Sequence, residues 1–296
     1  MSDGAFGTTI DSAGPGTRGG VTASASSGKE ADGMSDGAPV VVTSRDGAVG
    51  IIELARPAKF NCLSVAVHEG LAAALAEFEQ PGSGVRCLLV RAQGRHFCTG
   101  ADLEEVRSLR ERPAELAQLL SLGHAVLRRF EASDLPVVAA CQGLCLAGGL
   151  ELMLACDVVF AARDARFGDQ HAQFALVPGW GGSQRLPRIV GLRRALDLFY
   201  SARWLDAATA EQWGLVNHVV DADKLDAEAL AYCHAIGTRS KGGLATMKHL
   251  ARQGLEGSLD AGLAVEERQA PQALLSADVG EGLAAFVERR QPKFEA

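Results

Sequence analysis

No apolar run in the chain approaches the roughly 20 residues that a membrane-spanning helix needs, so the sequence offers no bilayer span. The N-terminus lacks a basic start followed by an apolar stretch, which argues against a secretory leader and leaves the cytoplasm as the expected compartment. An excess of basic residues is also missing. The net charge is -7, which argues against a general nucleic-acid binder, although a local basic site for a phosphorylated ligand stays open. Seven cysteines are present (Cys62, Cys87, Cys98, Cys141, Cys145, Cys156 and Cys233), but CxxC is absent. Their odd number and their placement in apolar runs read as reduced, buried thiols. The Cys141-x3-Cys145 spacing alone is too little for zinc, and no metal is expected.

What is present suits a large core: 296 residues, 47% of them apolar and 22% charged. Residues 1–38 are rich in Gly, Ser, Ala and Thr and nearly free of large apolar side chains, so they are expected to be a disordered extension. MSDGA occurs at 1–5 and again at 34–38, which reads either as a short duplication or as an alternative start at Met34. Beyond it, VVVTSRDGAVGIIEL (40–54) predicts two strands around an Asp46-Gly47 hairpin turn. Helical spacing predicts a helix over 65–80, and RCLLVRA (86–92) reads as a buried strand. A helix over 103–131 is expected to be interrupted near Pro113. LPVVAACQG (135–143) and VVFAA (158–162) read as strands, with a helix starting near Gly148 between them. After residue 180 almost everything reads as helical, with breaks near Gly191, Gly214 and Gly237. The order implies an α/β layered domain with a helical C-terminal part.

Three segments carry chemistry. In HFCTGADLEEV (96–106), Gly100 permits an unusual backbone angle, and the amide of Ala101 is expected to stand unpaired at a helix start. CQGLCLAGGLELML (141–154) repeats that design at Gly148, and its glycines fit neither a dinucleotide fingerprint nor a phosphate loop. Two such amides, if they converge, make an oxyanion hole. The same segment holds Glu151, a carboxylate among Leu150, Leu152, Met153 and Leu154, which is costly there without a partner or a task. On the segment alone Glu151 reads equally as a helix N-terminal carboxylate or as an acid/base. FGDQHAQFALVPGWGGSQRLPRIVG (167–191) places His171 ahead of a glycine-dense turn.

Together with RPAKFNCLS (56–64) and FVERRQPKF (286–294), these blocks resemble the crotonase, or enoyl-CoA hydratase/isomerase, superfamily across residues 39–296. The resemblance implies a spiral of ββα repeats over 39–235 and a helical trimerisation region over 236–296, assembled as a homotrimer or a dimer of trimers. It implies an oxyanion hole formed by the amides of Ala101 and Gly148, with Glu151 as the first of two catalytic carboxylates. It maps the CoA contacts onto Ala58, Lys59 and Phe60, onto Cys98, Gly100, Ala101, Asp102 and Leu103, and onto Phe294. Lys59 reads equally as a contact to a CoA phosphate or as a solvated surface lysine. Coenzyme A would enter as part of an acyl-CoA thioester, with no permanently bound cofactor and neither nucleic acid nor membrane as a partner.

The chain departs from the family where the second glutamate is expected, because His171 stands there. Imidazole can activate water or deliver a proton near neutral pH, so addition of water to a 2-enoyl-CoA by Glu151 and His171 is the leading expectation. Asp169 would replace the missing carboxylate only if the loop shifted. Alternatives are double-bond isomerisation, another reaction of the family such as C–C bond hydrolysis, and a CoA-binding scaffold without turnover. The C–C hydrolases pair histidine with a later acidic residue, and Trp180 stands where that residue is expected.

Overall fold

A computed structural model describes residues 38–294. The extension expected over 1–38 therefore lies, apart from Ala38, outside the described residues.

Asp46-Gly47 makes the expected hairpin. Gly47 takes φ +57°, and β1 (Val41–Asp46) runs antiparallel to β2 (Val49–Leu54). Ser64 caps α1 (Val65–Phe78) by accepting the Val67 N–H, and α1 buries Val67, Leu71, Leu75 and Phe78 at helical spacing. Next come β3 (Cys87–Ala92), α2 (Leu103–Leu109) and α3 (Pro113–Ala132). Pro113 opens α3 at a position that needs no N–H donor, which is why the long helical pattern breaks there. Then follow β4 (Val137–Cys141), β5 (Leu144–Leu146), α4 (Gly148–Leu154), β6 (Val158–Ala162) and β7 (Arg166–Gly168). The remainder comprises α5 (Gly182–Val190), α6 (Leu192–Ser201), β8 (Leu205–Asp206), α7 (Ala207–Gln212), β9 (His218–Val220), α8 (Leu225–Gly237), α9 (Lys241–Gly254), α10 (Leu259–Leu274) and α11 (Ala277–Glu288). The two short strands β8 and β9 are exceptions within the almost wholly helical stretch expected after residue 180.

One sheet has the order β1-β2-β3-β4-β6-β9, parallel from β2 onward; a smaller sheet has the order β5-β7-β8. Successive repeats give one strand to each sheet and then a helix: β4, β5, α4, followed by β6, β7, α5. The stretch after β3 fits the same scheme, because Cys98 bridges Cys145 of β5 in parallel before α2 begins. Each turn of this spiral therefore leaves its chain at one place, between the small sheet and the next helix. The core is mainly aliphatic with a few phenylalanines; Leu88, Leu89, Val90, Val137, Val138 and Phe167 are fully buried.

Candidate active site

Three consecutive exits of the spiral meet. The first carries Ala101, the second Gly148 and Glu151, the third His171. The 97–98 segment is tied along β5 by Phe97 N–H to Gln142 O (2.8 Å), Cys98 N–H to Leu144 O (3.1 Å) and Leu146 N–H to Cys98 O (2.9 Å). Two glycines make this approach possible. Gly100 has φ +111°, and a Cβ there would lie 3.2 Å from Gly148 N. A Cβ on Gly149 would stand 2.3 Å from Cys98 O, which no side chain tolerates. A Cβ on Gly148 would lie 3.3 Å from Ala101 N, so the two amides are neighbours, and among the described residues neither donates to a backbone carbonyl. The turn between them is strained: Ala147 adopts φ +48°, ψ -117°, a region that favours glycine.

Glu151 is 1% exposed. Its Oε1 accepts the backbone N–H groups of Trp180 (2.8 Å) and Gly182 (2.7 Å), while Oε2 has no hydrogen-bond partner. The glycine-dense turn noted in the sequence thus supplies main-chain donors to this carboxylate. Burial raises the Glu151 carboxyl above its ordinary value of 4.5; the two N–H donors and the neighbouring His171 offset that only in part.

His171 Nε2 lies 3.9 Å from Glu151 Oε2, beyond direct hydrogen-bond reach. Its Nδ1 is 2.9 Å from Asp169 Oδ1, and the same oxygen accepts the His171 N–H at 3.2 Å. A carboxylate can only accept, so Nδ1 carries the proton and Nε2 faces Glu151. Burial pulls the His171 ring down, but the hydrogen bond and charge of Asp169 and the charge of Glu151 outweigh it, and the net shift is upward from 6.5. Asp169 thus holds the His171 ring in its orientation.

A cavity of about 300 Å³ opens beside these groups. Ala58, Lys59, Phe60, Ala101, Asp102 and Leu103 are among the residues that line it, and so is His171. Cys98, Gly100 and Gly148 are not in its wall; Cys98 is fully buried beneath it. Phe294 lies away from it, with its ring beside Gly282 of α11. Lys59 reaches out to Glu104 (2.9 Å), and that bond raises its ammonium pKa. Sequence reasoning did not assign Cys62, Glu104, Ala147, Gln170, Phe174 and Leu176, which with Thr99, inside the 98–103 stretch it had mapped, complete the lining. Burial pushes the Cys62 thiol up to about 11, so it is not a ready nucleophile. The loop carrying Lys59 is set by Asn61, which adopts φ +54°, donates to Gln93 O and His96 O and accepts the Arg56 N–H.

Among the described residues no group of His, Cys, Asp and Glu is disposed to hold a metal ion, and no helix is long and apolar enough to cross a membrane.

Comparison with known proteins adds an independent line. The family model described as enoyl-CoA hydratase/isomerase matches residues 44–296. A probable enoyl-CoA hydratase, echA8, of Mycobacterium tuberculosis is 36% identical over 254 residues, covering 86% of this chain and 97% of that protein. The mitochondrial methylglutaconyl-CoA hydratase of Rattus norvegicus is 37% identical over 216 residues, covering 71% of this chain and 68% of that protein. The crystal structure of an enoyl-CoA hydratase from Bacillus anthracis superposes with a TM-score of 0.82 at 32% identity, covering 86% of this chain and 98% of that one.

Proposed function

The chain belongs to the enoyl-CoA hydratase/isomerase family, an enzyme family acting on acyl-CoA thioesters, and from that premise we propose that it adds water to 2-enoyl-CoA. The thioester oxygen accepts from the amides of Ala101 and Gly148. Those donors stabilise the negative charge that develops on it. Glu151 Oε2 takes a proton from water, and the resulting hydroxide oxygen bonds to C3. The C2=C3 electrons move toward the thioester, forming an enolate. His171, protonated at Nε2, delivers a proton to C2. The double bond is thereby replaced by C–O and C–H bonds, and a proton passed from Glu151 back to His171 restores the site. Asp169 holds the imidazole and favours its charged form.

One observation carries this reading: Oε2 of Glu151 is buried without a partner and faces Nε2 of His171 across 3.9 Å. That gap admits one bridging oxygen. The CoA portion is assigned to the cavity beside Ala58, Lys59 and Phe60. The α/β part over 39–235 and the helical part over 236–296 are read as separate regions. Exposed Leu283, Phe286 and Val287 on α11 support assembly of the latter into a trimer or a dimer of trimers. Seven unpaired thiols fit a reducing cytoplasm.

The test is purified protein with crotonyl-CoA, followed by loss of enone absorbance and by a product heavier by one water in mass spectrometry. Absence of that product overturns the reading. Turnover of 3-enoyl-CoA without hydration of 2-enoyl-CoA would replace it with isomerisation.

A further inference from the structure

The large aromatic side chain of Trp180 packs directly against the turn at Gly148. It is 3% exposed. A Cβ on Gly148 would lie 2.6 Å from its Cζ3, and a Cβ on Gly123 of α3 would lie 2.2 Å from its Nε1. The indole is therefore wedged between the first residue of α4 and the middle of α3, in space that exists only because both positions are glycine. On its remaining side the His68 ring of α1 meets it edge-on, with centroids 4.6 Å apart at 62°. His68 donates from Nδ1 to Ser64 O at 2.9 Å, and burial drives its pKa down to about 4, so this side of the indole carries no charge. Ala101, Ala147 and His171 are among the residues that line the open cavity; Trp180 is not, and its indole packs on Gly148, the residue after Ala147.

We propose that the Trp180 indole is the end wall of the acyl site, restricting the enzyme to short, uncharged 2-enoyl thioesters. The inference rests on the acyl-CoA reading above. With the carbonyl held by Ala101 and Gly148 and the reacting carbons beside Glu151 and His171, a longer tail would have to enter where the indole stands. Gly123 is the counterpart of this choice, because any larger residue there would expel the ring. A hydrocarbon tail suits the neutral surroundings of His68, whereas a second carboxylate would lose its hydration there without a cation to replace it.

Binding is measured first, because it needs no turnover. Isothermal titration with butyryl-CoA and octanoyl-CoA on the wild-type protein should show the longer chain binding at least about tenfold more weakly, since one misplaced methylene alone changes selection by roughly tenfold or more. Trp180→Ala should raise the octanoyl/butyryl affinity ratio by about tenfold or more, and Trp180→Phe should give an intermediate ratio. The ratio of kcat/KM for 2-octenoyl-CoA over crotonyl-CoA should move in parallel. Wild-type protein that binds octanoyl-CoA as tightly as butyryl-CoA overturns the proposal without any variant, as does an unchanged ratio in a folded Trp180→Phe. Chain-length discrimination in binding without hydration of either enoyl thioester would keep the wall and reject only the hydration reading.

Discussion

Helix α4 and the C-terminal helices α9–α11 solve opposite problems. All seven residues of α4 are buried, including Glu151. No residue of α9 or α10 is buried, and only Ala285 of α11 is, although Met247, Leu263, Leu283 and Phe286 are large apolar side chains on them. In α4 the apolar composition is explained within the chain, and its single charge, Glu151, stands out because one carboxylate oxygen is buried without a partner. In α9–α11 the apolar composition is left open to solvent in the single chain, at a scale well beyond scattered surface hydrophobics. Burial thus separates the two regions: the closed one carries the proposed chemistry, and the open one the proposed association.

The largest expected effect breaks the α4 side. In Glu151→Gln, the amide oxygen can still accept from Trp180 and Gly182, but the base is gone. Turnover of crotonyl-CoA should fall by roughly 10²–10⁴-fold, while CoA binding by titration stays within about twofold. Because burial raises the Glu151 carboxyl in the folded state, its contribution to stability is greatest at low pH and is lost as pH rises through the folded value. Glu151→Gln should therefore melt no lower than wild type at pH 7, and a large drop in Tm would make the residue structural instead.

Next in size is His171→Gln, expected to reduce turnover by about 10–100-fold and to reshape its pH profile. Wild-type kcat should show an acid limb above the ordinary 4.5 of a glutamate and an alkaline limb above the 6.5 of a histidine, following the upward shifts of both groups. The sign follows from the roles: Glu151 must be ionised and His171 protonated. Loss of the alkaline limb in His171→Gln supports proton delivery by the ring, and retention of it removes that role.

On the C-terminal side, Leu283→Glu combined with Phe286→Glu should lower the mass measured by analytical ultracentrifugation, with about 1.5–3 kcal/mol lost per side chain no longer buried in an assembly. An unchanged mass would mean that these faces cover nothing in solution. The smallest effect is expected at Ala147, whose left-handed conformation glycine adopts without strain. Ala147→Gly should be tolerated and stabilise by about 0.5–1 kcal/mol in urea unfolding.

Much of this was legible beforehand, for identifiable reasons. Asp46-Gly47 marked its hairpin because few dipeptides accept that turn. Pro113 marked the start of α3 because proline fits a helix's first turn and little else inside it. The amides of Ala101 and Gly148 were legible from glycines next to strand ends, and Glu151 from the cost of a charge in an apolar run. The strands β5, β7, β8 and β9 span two or three residues each, too few to show a period of two, and are defined by their partners rather than by their own sequence. The role of Asp169 depends on a turn that folds its carboxylate back under the His171 ring. The Gly123–Trp180 fit joins residues 57 positions apart in unrelated segments, and no local pattern records it.

Glu151 is moored to peptide N–H groups, and the one from residue 180 survives any non-proline replacement there, whereas a Cβ at Gly182 would stand 3.0 Å from Glu151 Cγ. The identity of residue 180 can consequently drift while the acid–base machinery keeps its alignment. On the proposed reading, substrate choice would rest on the indole of this residue and the mooring of Glu151 on its peptide N–H, so a designer who retools the indole for a bulkier guest need not rebuild the reaction centre.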